Sequence, residues 1–170
     1  MSADSVKRCA QLRIGVDIQP AWLYLDTHTL VAQFGEQRLR YFQPLSSLFA
    51  AKVPVGGGSD HMQRIGSLRS LNPYNPFLGM QVAITRLSKF HPTPLHAEEA
   101  LTREQAIRFY TINNAWLMQS ETEIGSLEVG KRADFIRVDR DLLTCPVEQI
   151  RETRVRATWV DGVQVFAAAE

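Results

Sequence analysis

Two short apolar runs, RIGVDIQ at 13–19 and VPVGGG at 53–58, are joined by a stretch that reads as helix, and this order constrains the fold most. Ile14, Val16 and Ile18 alternate with smaller or polar neighbours, a strand period that stops at Pro20. Asp26 is placed to cap a helix running through Phe34, with Gly35 as its stop. A second helix, broken or restarted at Pro44, is predicted over 36–51 with Leu45, Leu48 and Phe49 turned inward. Strand, helical crossover and strand are the grammar of a parallel α/β fold.

In such folds ligands collect at the C-terminal ends of the strands. The second run ends in GGGSDHM, so Asp60 and His61 stand at such an end. Two readings remain open at this point. The glycines let a substrate or a metal approach the backbone, with Asp60 aimed into the space; or Asp60 is a turn residue that caps its own backbone.

Further on, Asn75-Pro76 is a helix start, Asn as the cap and Pro in the first turn. Phe77, Met80, Ile84 and Leu87 then form an apolar stripe that belongs to a core. SKFHPTPLHA at 88–97 is a loop, and its His91 and His96, separated by two prolines, have no recognised ligand spacing and read as solvated. Thr102 and Gln105 make a capping box, and a further helical segment covers 112–118. Beyond Gly125 and Gly130 the pattern becomes all-β. Residues 133–138 read as a strand, and TRVRATWVDGVQVF reads as a hairpin turning at Asp161-Gly162. The division falls at 1–122 for the α/β part and 123–170 for the β part, whose three strands are too few for a two-layered core of their own.

With 19 Lys+Arg against 18 Asp+Glu, the net charge of +1 gives no electrostatic argument for nucleic acid or a membrane surface. No apolar run approaches the ~20 residues of a membrane span, and the first residues lack the apolar core of a signal peptide. Cys9 and Cys145 make no CxxC and read as buried free thiols. A cytoplasmic location is the expectation.

GGGSDHM, NPYNPF, ITR, EALTREQAIRFYTINNA, GSLEVGKRADFIRVDRD and VRATWVDGVQVF, in this order, resemble the C-terminal third of the amidohydrolase superfamily. The nearest branch is that of the N-substituted formamide deformylases. The resemblance implies a metal-dependent (β/α)8 barrel plus a small β-sandwich made from both chain ends. RIGVDIQP would be the seventh barrel strand, VPVGGGSD the eighth, and the residues past 123 the returning strands of the sandwich. On that map Asp60 is the carboxylate that holds the metal, zinc by expectation, and takes a proton from the attacking water; His61 lines the substrate pocket. The implied reaction is hydrolysis of a non-peptide carbon–nitrogen bond in a small amide, formamide or cyclic imide.

The same resemblance implies a His-x-His pair, a bridging lysine and two single histidines from earlier strands. The four histidines, at 28, 61, 91 and 96, include no His-x-His, and His28 reads as a surface or capping residue. One carboxylate is not a zinc site, which normally takes three protein ligands. The isolated chain is therefore expected to be inactive and to bind no metal by itself: a truncated reading, a partner of a complementing N-terminal chain, or a non-catalytic remnant or assembly module. Self-association through open strand edges and fast amide exchange in the first strand, relative to the 155–165 hairpin, are the accompanying expectations.

Overall fold

Ser2 opens the first helix, α1 (Ala3–Leu12), by accepting the Ser5 N–H at 3.1 Å, and Arg13 closes it in a left-handed conformation at φ 53°. Strand β1 (Val16–Ile18) follows, then α2 (Pro20–Phe34), α3 (Leu45–Ala50), β2 (Val55–Gly57), α4 (Pro76–Thr85), α5 (Arg103–Tyr110) and α6 (Ile112–Leu117). Strands β3 (Phe135–Val138), β4 (Val155–Val160) and β5 (Val163–Ala167) end the order. This computed structural model describes residues 1–60 and 74–169. The architecture is α/β. β1 and β2 pair in parallel with Val16 opposite Val55 and Ile18 opposite Gly57, and β3-β4-β5 form an antiparallel sheet.

The helical crossover between the strands is present, but its pieces differ from expectation. α2 begins at Pro20 rather than at Asp26. Proline fits the first helical position, where its missing N–H would have had no partner, so the residue that stops the strand also starts the helix. The 36–51 helix is reduced to a 3₁₀ turn at Gln37–Leu39 and to α3. Between them Gln43 adopts φ 50°, consistent with Pro44, whose ring disfavours the helical region for the residue before it. Leu45 and Leu48 do turn inward and are wholly buried.

Asn75 caps α4 by accepting the Phe77 N–H at 2.9 Å. Phe77 and Met80 are buried as the stripe requires, whereas Leu87 lies past the helix end and is exposed. The helix stops early because Arg86 turns left-handed, φ 57°, and sends its guanidinium inward. The Thr102–Gln105 capping box forms with both reciprocal bonds.

One core joins the elements. Val6, Ile18, Leu48, Val55, Phe77, Phe109 and Ile150 belong to a single buried cluster. Ile150 arrives from a 3₁₀ turn, Val147–Glu152, that lies against α4. Its neighbour Arg151 donates its N–H to Gln81 Oε1 at 3.1 Å and accepts from Asn75 Nδ2 at 2.8 Å. The β3–β5 sheet is more open. The Asp161-Gly162 turn has positive φ at both residues, 50° and 77°, as a tight hairpin requires, and all five residues of β5 are exposed.

Candidate functional site

Parallel pairing makes β1 and β2 end together, at Ile18 and Gly57. Gly58, Ser59 and Asp60 leave from that end. Asp60 is exposed and adopts φ 40°, a left-handed conformation that Asp tolerates better than most residues. His61 lies outside the described residues.

The three glycines do not share one purpose. A Cβ on Gly57 would stand 2.5 Å from Phe109 Cε1, and one on Gly56 would meet Asn114 Oδ1 and lie 2.6 Å from Leu117 Cδ1. Both glycines make room for α5 and α6, so close packing rather than ligand approach accounts for them. Only Gly58 faces the open strand end, where a Cβ would lie 3.5 Å from Asp17 Oδ1, an ordinary contact.

Around that end a small polar setting assembles. Asp17, exposed on β1, accepts from Gln19 Nε2 at 2.9 Å. A cavity of about 170 Å³ opens beside it, lined by Gly58, Ser59, Tyr74, Asn75, Gly79 and Tyr110 among others. Burial pushes the Tyr110 phenol well above its usual range, and the negative charge of Asp17 adds to this. The hydroxyl of Tyr110 occupies the space that a side chain at position 79 would take, so Gly79 is a condition of its placement. Tyr24, by contrast, lies away from the cavity and packs against Leu23, Leu78 and Val82.

Asp17 and Tyr110 were not singled out from sequence. A lone acid inside an apolar strand, three residues before a proline, is a usable signal for Asp17. Nothing local to Tyr110 distinguishes it from the core aromatics of α5.

The other histidines are elsewhere. His28 is exposed on α2. His96 is not a solvated loop residue: its Nε2 lies 2.9 Å from the Glu36 carbonyl and its Nδ1 3.2 Å from Glu98 Oε1, with the side chain 13% exposed. His91 pairs with Thr93 Oγ1 at 3.3 Å. Among the described residues no group of three or more His, Cys, Asp or Glu is gathered where a metal ion could be held. The residues present at the strand end do not by themselves fit a metal centre, which needs about three protein ligands.

The cysteines are free and half-buried, each packed against the core. Among the described residues no helix is long and apolar enough to cross a membrane.

Comparison with known proteins bears on what this strand end belongs to. The chain is 37% identical over 128 residues to N-substituted formamide deformylase of Arthrobacter pascens, covering 75% of this chain and 22% of that protein. An uncharacterized metal-dependent hydrolase from Pyrococcus horikoshii superposes with a TM-score of 0.69 at 24% identity, over 87% of this chain and 29% of that one. An adenosine deaminase from Xanthomonas campestris with bound zinc gives 0.65 at 22% identity, over 98% of this chain and 35% of that one. At these identities the two structures speak to the fold alone. The chain thus spans less than a third of the curated relatives it matches, 22% and 29% of their length. The sequence profile of the Amidohydrolase family matches residues 1–166, and the chain belongs to that family.

Proposed function

We propose that this chain supplies the Asp60 end of a hydrolase acting on non-peptide carbon–nitrogen bonds. The observation that carries the reading is the place of Asp60: three residues past the end of β2, at the shared C-terminal end of a parallel strand pair. In this reading β1 and β2 are the seventh and eighth strands of a (β/α)8 barrel, and β3–β5 are strands of the accompanying sandwich. Divalent-metal dependence, with zinc the expected ion, is carried over from the relatives, and the remaining ligands come from strands that carry the missing histidines. A small amide, formamide or cyclic imide is the substrate class, with a cytoplasmic location.

The part that this chain plays is proton transfer. Water attacks the carbonyl carbon, its proton passes to the Asp60 carboxylate, and the same proton protonates the leaving nitrogen as the C–N bond breaks. A carboxylate is competent in both directions when held within hydrogen-bond reach. His61 lines the substrate side in this assignment.

Hydrolysis of an N-substituted formamide tests the reading, with this chain co-expressed with an N-terminal segment bearing His-x-His. Activity is expected in the pair and not in the chain alone. Asp60→Asn should lower kcat by roughly 10²–10⁴-fold. Unchanged turnover in that variant removes Asp60 from the chemistry, and stoichiometric zinc with turnover in the chain alone removes the need for a complementing segment.

A second reading is a non-catalytic assembly module. It is favoured by β5, whose residues are exposed throughout, including Val163 at 65% and Val165 at 59%. Sedimentation that shows association in a chain with no complementing activity supports it.

A further inference from the structure

α3 closes where Lys52 turns left-handed, φ 56°. Its N–H donates to the Phe49 carbonyl and the Val53 N–H to the Leu48 carbonyl, both at 3.0 Å. The chain then enters β2 directly through Pro54. This closure holds Lys52, an exposed residue, at the N-terminal end of β2, the end opposite Asp60. A cavity of about 340 Å³ opens there, inside the range of roughly 300–1,000 Å³ usual for small-molecule sites. Its apolar wall comes from Phe49, Val53, Ile112 and Trp116.

Lys52, Arg108 and Glu121 line the same cavity. Among the described residues, none of the three side chains makes an ion pair or a hydrogen bond. Arg103, on the same helix as Arg108, shows the contrast: its two terminal nitrogens reach the Leu142 and Cys145 carbonyls at 2.6 and 2.7 Å. Asn113 also lines the cavity, but its Nδ2 is already taken by the Val55 carbonyl at 2.8 Å. The donors left for a ligand are therefore those of the guanidinium and the ammonium, which accept nothing and only donate.

We propose that this cavity binds a small monocarboxylate with an aromatic body. The carboxylate pairs with Arg108 and Lys52, and a guanidinium can hold both of its oxygens at once. The ring lies against Trp116, Phe49 and Ile112. Exposed cations alone gain little from an anion; the apolar wall beside these two lowers the local dielectric once a ring covers it, and so strengthens the pair. Glu121 sets the charge. Two cations and one acid leave a single positive charge, which one carboxylate neutralises, while a second negative charge would face Glu121. A dianion is therefore disfavoured, and an amine meets two like charges. The inference is independent of the chemistry assigned to Asp60.

Titration of the full chain with phenylacetate, followed by NMR, tests it. The Trp116 indole N–H and the Lys52 and Val53 amides should shift saturably, while the Gly58 amide at the far end of β2 should not. Saturation near about 1–10 mM is expected for a ligand of this size. Phenethylamine, with the same ring and the opposite charge, should bind at least roughly tenfold more weakly, and the dianion phenyl phosphate more weakly than phenylacetate. Arg108→Ala and Lys52→Ala, both at exposed positions, should each weaken phenylacetate by roughly three- to tenfold. Glu121→Gln should tighten it. The absence of a saturable phenylacetate shift in the wild type overturns the proposal, and this measurement decides without any variant. Equal affinity for phenethylamine, or unchanged affinity in a double variant R108A/K52A that is folded by circular dichroism, also overturns it.

Discussion

Arg86 donates Nη1–H to the Gln43 carbonyl at 2.8 Å from a side chain with no solvent exposure. Its Nη2 reaches the Phe42 carbonyl at 3.0 Å and its Nε the Leu95 carbonyl at 2.9 Å. One planar guanidinium thus ties the loop before α3 to the loop after α4. Burial pushes its pKa down to about 10, with the charges of Glu99 and Glu98 opposing. Arg86→Ala would leave a void and take the guanidinium donors from the Phe42, Gln43 and Leu95 carbonyls, of which Gln43 keeps the Leu45 N–H at 2.9 Å. A loss of about 3 kcal/mol or more is expected by chemical denaturation. Arg86→Lys should restore little of it, because a point ammonium cannot match the fork. A loss under about 1 kcal/mol would show that water replaces the guanidinium at no cost.

Glu99 is 1% exposed and accepts from the Ser47 N–H at 2.9 Å, the Ser47 hydroxyl at 2.6 Å, and Arg40. Burial alone would raise its pKa, but the Ser47 and Arg40 bonds outweigh this and hold it below the ordinary 4.5. A depressed carboxylate pKa contributes stability that is complete above the unfolded value and lost as pH falls through the folded one. Stability should therefore decline below about pH 4.5, and Glu99→Gln should flatten that decline while costing about 1–2 kcal/mol at pH 7. A Gln variant with the acid slope of the wild type would assign the slope to other carboxylates. Asp139 is one, held at about 2 by Arg140 and the Arg154 N–H.

The glycines of the β2 end separate packing from function. Gly57→Ala drives a Cβ into the ring of Phe109, itself wholly buried. The variant should lose about 1–3 kcal/mol. Gly58→Ala meets the Asp17 carboxylate and Gln19 Nε2 at ordinary contact distance and has no left-handed φ to strain it. Its stability should stay within about 0.5 kcal/mol of the wild type. Thermal unfolding of the two variants side by side reads the difference. Equal losses would mean that Gly58 is packed after all.

What was legible in the sequence was short-range. Asn75 with Pro76, and Thr102 with Gln105, declare their caps within three residues, and both form as read. The Asp161-Gly162 hairpin is equally local. Pro20 declares the end of the β1 period, but not the start of α2, because Asp26 offers a cap further on while the helix begins at Pro20 itself. The strand end with Asp60 followed from order and resemblance together. The glycine roles did not, because a Cβ on Gly56 would meet Asn114 and one on Gly57 would meet Phe109, residues far along the chain that only folding brings close. Arg86 reads as a helix-terminal surface cation until the carbonyls of residues 42, 43 and 95 are seen around it.

The last prediction contrasts the two sheets. Among the described residues β1 pairs with β2 alone, whereas β4 has a strand on each side. Val16 donates toward β2, through the Pro54 carbonyl, so the N–H of Asp17 between Val16 and Ile18 faces the opposite edge. Its side chain is also exposed. In β4, Ala157 is buried, and its neighbours pair with both β3 and β5. Amides with strand partners on both sides open only with the whole sheet, while a one-sided edge exchanges through small local fluctuations. The Asp17 amide should therefore exchange faster than those of Ala157 and Thr158, by tenfold or more on the order expected for local against cooperative opening. Exchange resolved by NMR at constant pH checks this. A slower Asp17 amide in a monomer would mean that β1's outer edge is paired, and would require a partner segment at Asp17.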